Sequence, residues 1–319
     1  MAAIILDLKA EDEIIMPSYT FVSTANSFAN RGVKIKFADS HFNHPNIDEN
    51  KIEALITPRT KAIVVVHYAG VACNMDVIIN LANKYNLYVI EDAAQAINAY
   101  YVNADNNPCI LGSLGDVGCI SFHETKNIHC GEGGLFILNN EKFLPQLQYV
   151  WDKGTNRIDF KKGVIPFYSW VSLGSSFYPS ELCAAFLHAQ LPDIEKVTRK
   201  RLMLWNTYHK NLSGYSNIFK TPHIPDYALH NAHIYYIVVK NITERNNLIQ
   251  YLHKNKIQAL FHYQALHKSP YYLKNNESIN LPASEYFSDC LIRLPLYYKL
   301  KKSQVIYVCN KIKEFYNLL

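Results

Sequence analysis

Two polar residues set among apolar neighbours carry the chemistry this sequence could do. Asp92 stands in Glu-Asp-Ala-Ala-Gln directly after a hydrophobic run at residues 87–90, and Lys126 stands in Ser-Phe-His-Glu-Thr-Lys-Asn just before Gly131, Gly133 and Gly134. Taken alone, an acid in such a place caps a helix, ligates a metal, holds a ribose or faces a protonated heterocycle. A lysine at a strand mouth beside a glycine turn can lose its hydration, which lowers its pKa and makes the amine a nucleophile for carbonyls. Alone, it is more often a solvated surface group. The pairing is more specific, because Gln95 follows the acid by three residues and the lysine lies one strand-loop-strand unit downstream.

One cofactor gives that pairing a joint purpose. In pyridoxal phosphate chemistry a lysine amine joins the aldehyde, and a carboxylate keeps the pyridine nitrogen protonated so that the ring accepts electrons. Gln95 could donate to the ring hydroxyl, Ser121 could donate to the phosphate, and Phe21 could stack on a ring face. Each of these has a plain structural reading as well: Ser121 as a strand hydroxyl, Phe21 as core. Competing motifs fail. His123-Glu124 opens like a His-Glu-x-x-His zinc site, but Asn127 stands where the second histidine is needed. The chain has no nucleophile elbow, no phosphate loop of the Gly-x-x-x-x-Gly-Lys type and no Gly-x-Gly-x-x-Gly fingerprint. No metal is expected.

These side chains need a scaffold that presents strand ends in a row. Residues 13–16, 33–37, 62–66, 87–90 and 118–122 read as strands, and residues 24–30, 48–56 and 75–85 read as helices. That alternation predicts an α/β domain with a mostly parallel sheet, and such sheets bind ligands beyond the carboxyl ends of their strands. Residues 102–110 read as a polar surface insertion. From residue 179 the texture becomes a long helical stretch interrupted at Pro192, followed by a strand at 234–239 and mixed elements to the end. The expected division is a large domain over residues 1–190 and a smaller α+β domain over 191–319.

Composition narrows the class. The 319 residues are 49% hydrophobic and 18% charged, enough apolar surface to offset the entropy of folding. The net charge of +5 comes from 32 basic and 27 acidic residues without a basic block, which argues against nucleic acid as a partner. No apolar run reaches the roughly 18 residues of a membrane span, and the N-terminus lacks a signal-peptide pattern. Seven cysteines, an odd number with no Cys-x-x-Cys pair, fit a reducing compartment, so a cytoplasmic location is expected.

An ordered series of segments resembles the DegT/DnrJ/EryC1/StrS family of sugar-nucleotide aminotransferases. It comprises PSYTF at 17–21, EDAAQ at 91–95, SFHETKN at 121–127, GEGG at 131–134, LGSSF at 173–177, NAH at 231–233, HYQALH at 262–267 and RLPLYY at 293–298. HYAGVAC at 67–73, HETKN and the GSS resemble the branch of dTDP-4-amino-4,6-dideoxygalactose transaminases. The resemblance implies the aspartate-aminotransferase-like fold type I of pyridoxal phosphate enzymes and a homodimer with sites shared between subunits. It implies that Lys126 binds the cofactor covalently and moves the proton, Asp92 faces the pyridine nitrogen, Gln95 the ring hydroxyl, Ser121 the phosphate and Phe21 the ring face. Ser176 falls where relatives place an Asn that reaches the neighbouring subunit's phosphate. His233, His262, Tyr263 and His267 fall near the nucleotide-sugar entrance.

The implied reaction takes an amino group from L-glutamate to the 4-keto carbon of a dTDP-linked 4-keto-6-deoxyhexose. The resemblance also implies several dozen residues before Met1, including part of the phosphate cup, with residues 1–8 as the tail of a helix. That makes a catalytically impaired fragment of the same family the alternative. A 3-dehydratase of the family would carry His in place of Lys126, and a non-enzymatic binding module would not need the continuous series of site segments.

Overall fold

Buried runs of β-branched residues alternate with amphipathic helices through the first 140 residues, and they build one sheet covered on both faces. The computed structural model describes residues 1–318. A short helix α1 (Ala2–Ile5) leads to β1 (Glu13–Pro17), α2 (Val22–Ala29), β2 (Lys34–Ala38), β3 (Thr60–Val66), α3 (Met75–Tyr85) and β4 (Tyr88–Asp92). A hairpin of β5 (Tyr100–Val102) and β6 (Pro108–Ile110) precedes β7 (Val117–Ser121) and β8 (Gly134–Leu138). The six-stranded sheet has the order β2-β1-β3-β4-β7-β8, parallel except for β8 against β7.

Strand alternation sorts the core into two layers. Ile14, Met16, Val64 and Ile90 pack under Ala25 and Phe28 of α2, while Ile15, Ile63, Val65 and Val89 pack under Met75, Ile78 and Ala82 of α3. Burial on both faces is what a parallel sheet with crossover helices requires. It also sends Glu91 and Asp92, adjacent on β4, to opposite sides.

The chain continues through α4 (Leu144–Trp151), α5 (Arg157–Lys161), α6 (Glu181–Gln190) and α7 (Ile194–Leu212). After β9 (Ala228–Leu229) come β10 (Tyr235–Val238), α8 (Ile242–Lys254), β11 (Leu260–Phe261), α9 (Pro270–Asn275), α10 (Pro282–Cys290), β12 (Leu291–Leu294) and α11 (Lys302–Phe315). Strands β10, β12 and β11 form an antiparallel sheet of their own. The C-terminal part is not separate from the rest: β9 pairs with β5, and Asp39 accepts from the Ser284 amide and hydroxyl at 2.8 Å each.

Two expectations need correction. Residues 48–56 do not form one helix but two single 3₁₀ turns, Glu49–Lys51 and Glu53–Leu55. The amide of Asp48 is committed to the carbonyl of Asp39, and its side chain accepts from the Asn50 amide, so this segment begins as a tethered turn. Residues 102–110 are a surface insertion only at their tip, because the flanks are the β5–β6 ladder with Tyr101 buried. The Asn-rich tip hid the pairing. The seven cysteines are free thiols, and no helix among the described residues is long and apolar enough to cross a membrane.

Candidate active site

The carboxyl ends of β1, β3, β4 and β7 deliver the site residues to one rim. Asp92 ends β4. Its Oδ2 accepts from the Thr24 hydroxyl at 2.6 Å, and its Oδ1 accepts from the Ala94 amide at 3.1 Å. Lys126 lies in the loop after β7, its amide donating to the His123 carbonyl. Burial lowers the Lys126 pKa, the Asp92 carboxylate partly offsets that, and the Arg293 guanidinium adds to the lowering. The lysine and the acid therefore sense each other across the rim, and the amine sheds its proton more readily than a surface lysine does.

Gln95 is a bridge. Its amide oxygen accepts from the Ala69 amide at 2.7 Å, and its amide nitrogen donates to the Tyr263 hydroxyl at 3.0 Å. Ala69 holds a left-handed backbone (φ 61°) in the turn three residues after β3, a strained conformation for a non-glycine residue of the kind that collects at functional sites. Gly70 follows with φ 74°, and a Cβ there would overlap Asn231. Phe21 is the N-cap of α2, half exposed, and its ring lies 5.7 Å from that of Tyr263. His262 hydrogen-bonds through Nδ1 to the Tyr68 hydroxyl at 2.9 Å. Its pKa is pulled down to about 3 by burial, then by Arg293 and Lys126.

His233 belongs to the same cluster through a different role. Its Nδ1 pairs with Asn127 Oδ1 at 3.0 Å, fastening the residue next to Lys126. Burial, then the charges of Lys126, Arg201 and Arg293, push its pKa well down, so it is neutral. Asn231, fully buried, donates to the carbonyls of Gln95 and Ile97 at 2.8 Å each and accepts from the His233 amide. The NAH segment is thus the clamp that joins the Asp92–Gln95 turn to the Lys126 loop. Ser121 ends β7 with its hydroxyl accepting from the His123 amide at 3.2 Å.

Two residues stand apart from this cluster. His267 is fully buried, with Nδ1 2.7 Å from the Ser18 hydroxyl and Nε2 3.1 Å from Glu285, so it fastens α10 to the end of β1. Ser176 is exposed, in an isolated antiparallel bridge with Asp152. Thr24 and Arg201 carry no mark in the sequence that points to the site, and Asn127, Asn231 and Arg293 stand in the quoted segments without a role that type or spacing assigns. Arg201 is buried on α7 and donates to the carbonyls of Ala232 and His233. A cavity of about 1220 Å³, lined by Lys126, Asn127, Arg201, Arg293 and Tyr297 among others, opens between the lysine loop and the C-terminal part. Lys126 lines that cavity, and the Asp92 carboxylate acts on its charge.

This donor set suits pyridoxal phosphate: a desolvated amine, a hydrogen-bonded carboxylate at the facing strand end, an amide within reach and an aromatic ring open on one side. The matching family model is the DegT/DnrJ/EryC1/StrS aminotransferase family, over residues 1–313. The chain is 33% identical over 309 residues to the pleiotropic regulatory protein of Geobacillus stearothermophilus, covering 96% of this chain and 78% of that one. It is 29% identical over 327 residues to the spore coat polysaccharide biosynthesis protein SpsC of Bacillus subtilis, covering 98% and 82%. Among solved structures, Helicobacter pylori PseC, an aminotransferase of pseudoaminic acid biosynthesis, superposes with a TM-score of 0.88 at 26% identity over 99% of this chain and 84% of that one. The aminotransferase of Psychrobacter cryohalolentis gives 0.89 at 25% identity, covering 98% and 83%. The architecture is the one those aminotransferases share, as the sequence leads one to expect.

Proposed function

The chain belongs to the DegT/DnrJ/EryC1/StrS aminotransferase family, and from that premise we propose that it moves an amino group from L-glutamate to the 4-keto carbon of a dTDP-linked 4-keto-6-deoxyhexose. The proposed role is in cell-surface polysaccharide synthesis in the cytoplasm. The observation that carries the reading is a buried Lys126 in the loop after β7, under the influence of the Asp92 carboxylate that ends the neighbouring strand β4. Bound pyridoxal phosphate supplies an electron sink for the bond broken at the amino-bearing carbon. The chain's own residues do the rest. Lys126 would hold the cofactor's aldehyde and would move the proton as general base and acid. Asp92, oriented by Thr24, would hold the cofactor's ring nitrogen, and Gln95, held by Ala69 and Tyr263, would hold its ring hydroxyl. Phe21 would cover a face of the cofactor ring and Ser121 would hold its phosphate.

His233 keeps Asn127, and so the lysine loop, in register, while His262 lines the sugar side in its neutral form. The segments HYAGVAC and HETKN favour the 4-amino-4,6-dideoxygalactose branch for the sugar. The spore-coat polysaccharide role of the Bacillus relative supports polysaccharide synthesis. A homodimer completes the reading, with Ser176 turned toward the partner's site. Borohydride reduction of the cofactor-loaded protein followed by peptide mapping tests the core claim: the pyridoxyl mass belongs on Lys126. A label on another lysine, or none, overturns it. Assays of dTDP- and UDP-4-keto sugars with glutamate then test the substrate, and preference for a UDP-sugar would reassign the nucleotide while leaving the chemistry.

A further inference from the structure

The loop between β2 and β3 gathers a second set of chemistry-bearing side chains that the transamination does not use. The antiparallel bridge of Ser40 with Ile47 and the hydrogen bond from the His41 amide to the Asn46 carbonyl fold this loop back on itself. His41 thereby meets Asp48 and Glu49: Nε2 lies 2.7 Å from Glu49 Oε2, and Nδ1 lies 3.9 Å from Asp48 Oδ1. One ligand atom from each of the three lies within 4.8 Å of the others. His44 packs beside them, its ring centroid 4.4 Å from that of His41. Its residue is only 4% exposed, and its Nδ1 is buried with no hydrogen-bond partner.

We propose that His41, His44, Asp48 and Glu49 form a binding site for one divalent transition-metal ion of the zinc type. Zinc takes four ligands, with nitrogen at about 2.0–2.1 Å and carboxylate oxygen at about 2.0–2.2 Å. One ligand atom from each of His41, Asp48 and Glu49 lies within 4.8 Å of the others, a spacing that side-chain rotation can close onto one ion. On binding, one ring nitrogen of His41 would take the ion together with Asp48 and Glu49, and the neighbouring His44 ring, outside that set of three, would have to turn to bring its unpartnered nitrogen to the fourth position. Two carboxylates balance the charge of the dication. Two imidazoles select against magnesium and calcium, which want oxygen alone. An ion pair between His41 and Glu49 would leave the buried His44 nitrogen orphaned, whereas a metal uses it. The ion would staple the loop that carries Asn46, whose amide holds the carbonyls of Val71 and Ala72 at 3.0 Å each.

The test uses the full chain with its cofactor, freed of metal by chelator and dialysis. Cobalt(II) is titrated first, because a tetrahedral site gives intense visible absorption; zinc(II) is then titrated calorimetrically. One equivalent is expected, with no sulfur charge-transfer band. His41→Ala, His44→Ala and Glu49→Gln should each weaken zinc affinity at least about tenfold, the lower range seen when even supporting residues of metal sites are lost. Cofactor absorbance and circular dichroism verify folding of each variant. A wild-type chain that binds no cobalt, a six-coordinate cobalt spectrum, or zinc binding abolished by thiol alkylation overturns the proposal. So does unchanged affinity in Glu49→Gln and His44→Ala, which decides the matter even where His41→Ala does not fold.

Discussion

The hydroxyl of Thr24 donates a 2.6 Å hydrogen bond to Oδ2 of Asp92, so a residue of the first crossover helix sets the direction of the acid that ends the fourth strand. A bond to a carboxylate of this kind contributes about 1.5–3 kcal/mol. Thr24→Val keeps the shape and removes the donor. At about 1.4 kcal/mol per tenfold, kcat/KM should fall by roughly ten- to a hundredfold, with the cofactor still attached to Lys126. Asp92→Asn should cost more, because it removes the charge itself. Steady-state kinetics with borohydride trapping measure both. A Thr24→Val enzyme with wild-type kcat/KM would show that the bond does not orient Asp92.

Tyr263 should act through Gln95. Tyr263→Phe leaves the ring packing against Phe21 and frees one hydrogen on the Gln95 amide, whose other end stays on Ala69. A neutral bond contributes about 1 kcal/mol, so a loss of about fivefold in cofactor affinity is expected, with no change in the trapped lysine. Fluorimetric cofactor titration checks it. A loss beyond about a hundredfold would mean that Tyr263 touches the cofactor directly.

Chemical type at strand ends makes Asp92, Gln95 and Lys126 legible in the sequence, because acids and amines are rare immediately after buried strands. The helix at 75–85 is legible for the same reason in reverse: its apolar stripe and its left-handed Asn86 cap are local. What stays hidden depends on distance in the chain. Arg293 acts on the lysine from β12 and Arg201 lines the same cavity from α7, and no spacing announces either. Thr24 is an ordinary helix hydroxyl until β4 is placed beneath it. Ala69 takes a left-handed turn without glycine, so nothing in its type marks the bend. His267 sits in a site-like segment, yet its partners Ser18 and Glu285 come from elements that only the folded chain brings together.

The perturbed amine of Lys126 should be visible in the pH dependence of stability. In the cofactor-free chain burial, reinforced by Arg293, lowers the folded pKa, while the unfolded value is about 10.4. Between the two, the unfolded chain binds more protons, so stability rises with pH through that window. Below the folded pKa the cost of a buried ammonium is borne in full. Lys126→Met removes that cost, so its advantage over wild type should be largest near neutral pH and shrink toward pH about 10. Urea unfolding across that range reads the difference. A constant offset would show an unperturbed lysine.

Glu91, beside Asp92 but on the opposite sheet face, should matter for folding more than for chemistry. Its carboxylate accepts from the amides of Gly112, Leu114 and Gly115 at 2.8, 2.7 and 2.6 Å and pairs with His67 at 2.9 Å. Burial alone would raise its pKa, but the His67 contact and the amides outweigh it and lower the value. Its stabilisation is therefore present above the unfolded value of about 4.3 and lost as pH falls through the folded one. Glu91→Gln should cost roughly 3–5 kcal/mol at neutral pH, the usual loss on breaking a buried pair. The gap should narrow below pH about 4. Denaturation at the two pH values tests it, and a neutral-pH loss under about 1 kcal/mol would show that glutamine satisfies the three amides equally well.

The segment from α5 to α6 should be the surface through which the proposed homodimer forms. Phe167, Trp170 and Leu182 are 73%, 78% and 84% exposed, and Phe186 shares the Leu182 face of α6 one turn on. Apolar exposure this concentrated marks an interaction surface. Ser176 lies within the same segment, bridged to Asp152, which Arg157 holds by two hydrogen bonds of 2.7 and 2.8 Å. A second copy covering Trp170 and Leu182 would therefore carry Ser176 toward its own site. Replacing two interface anchors at about 2 kcal/mol each should weaken association several hundredfold, at about 1.4 kcal/mol per tenfold. Trp170→Asp with Leu182→Asp should accordingly sediment as a monomer at concentrations where the wild type is a dimer, and should release cofactor more readily. Ser176→Ala should release cofactor more readily while remaining dimeric. A monomeric variant that retains cofactor like the wild type would show that each site is complete within one subunit and that Ser176 serves only the bridge to Asp152.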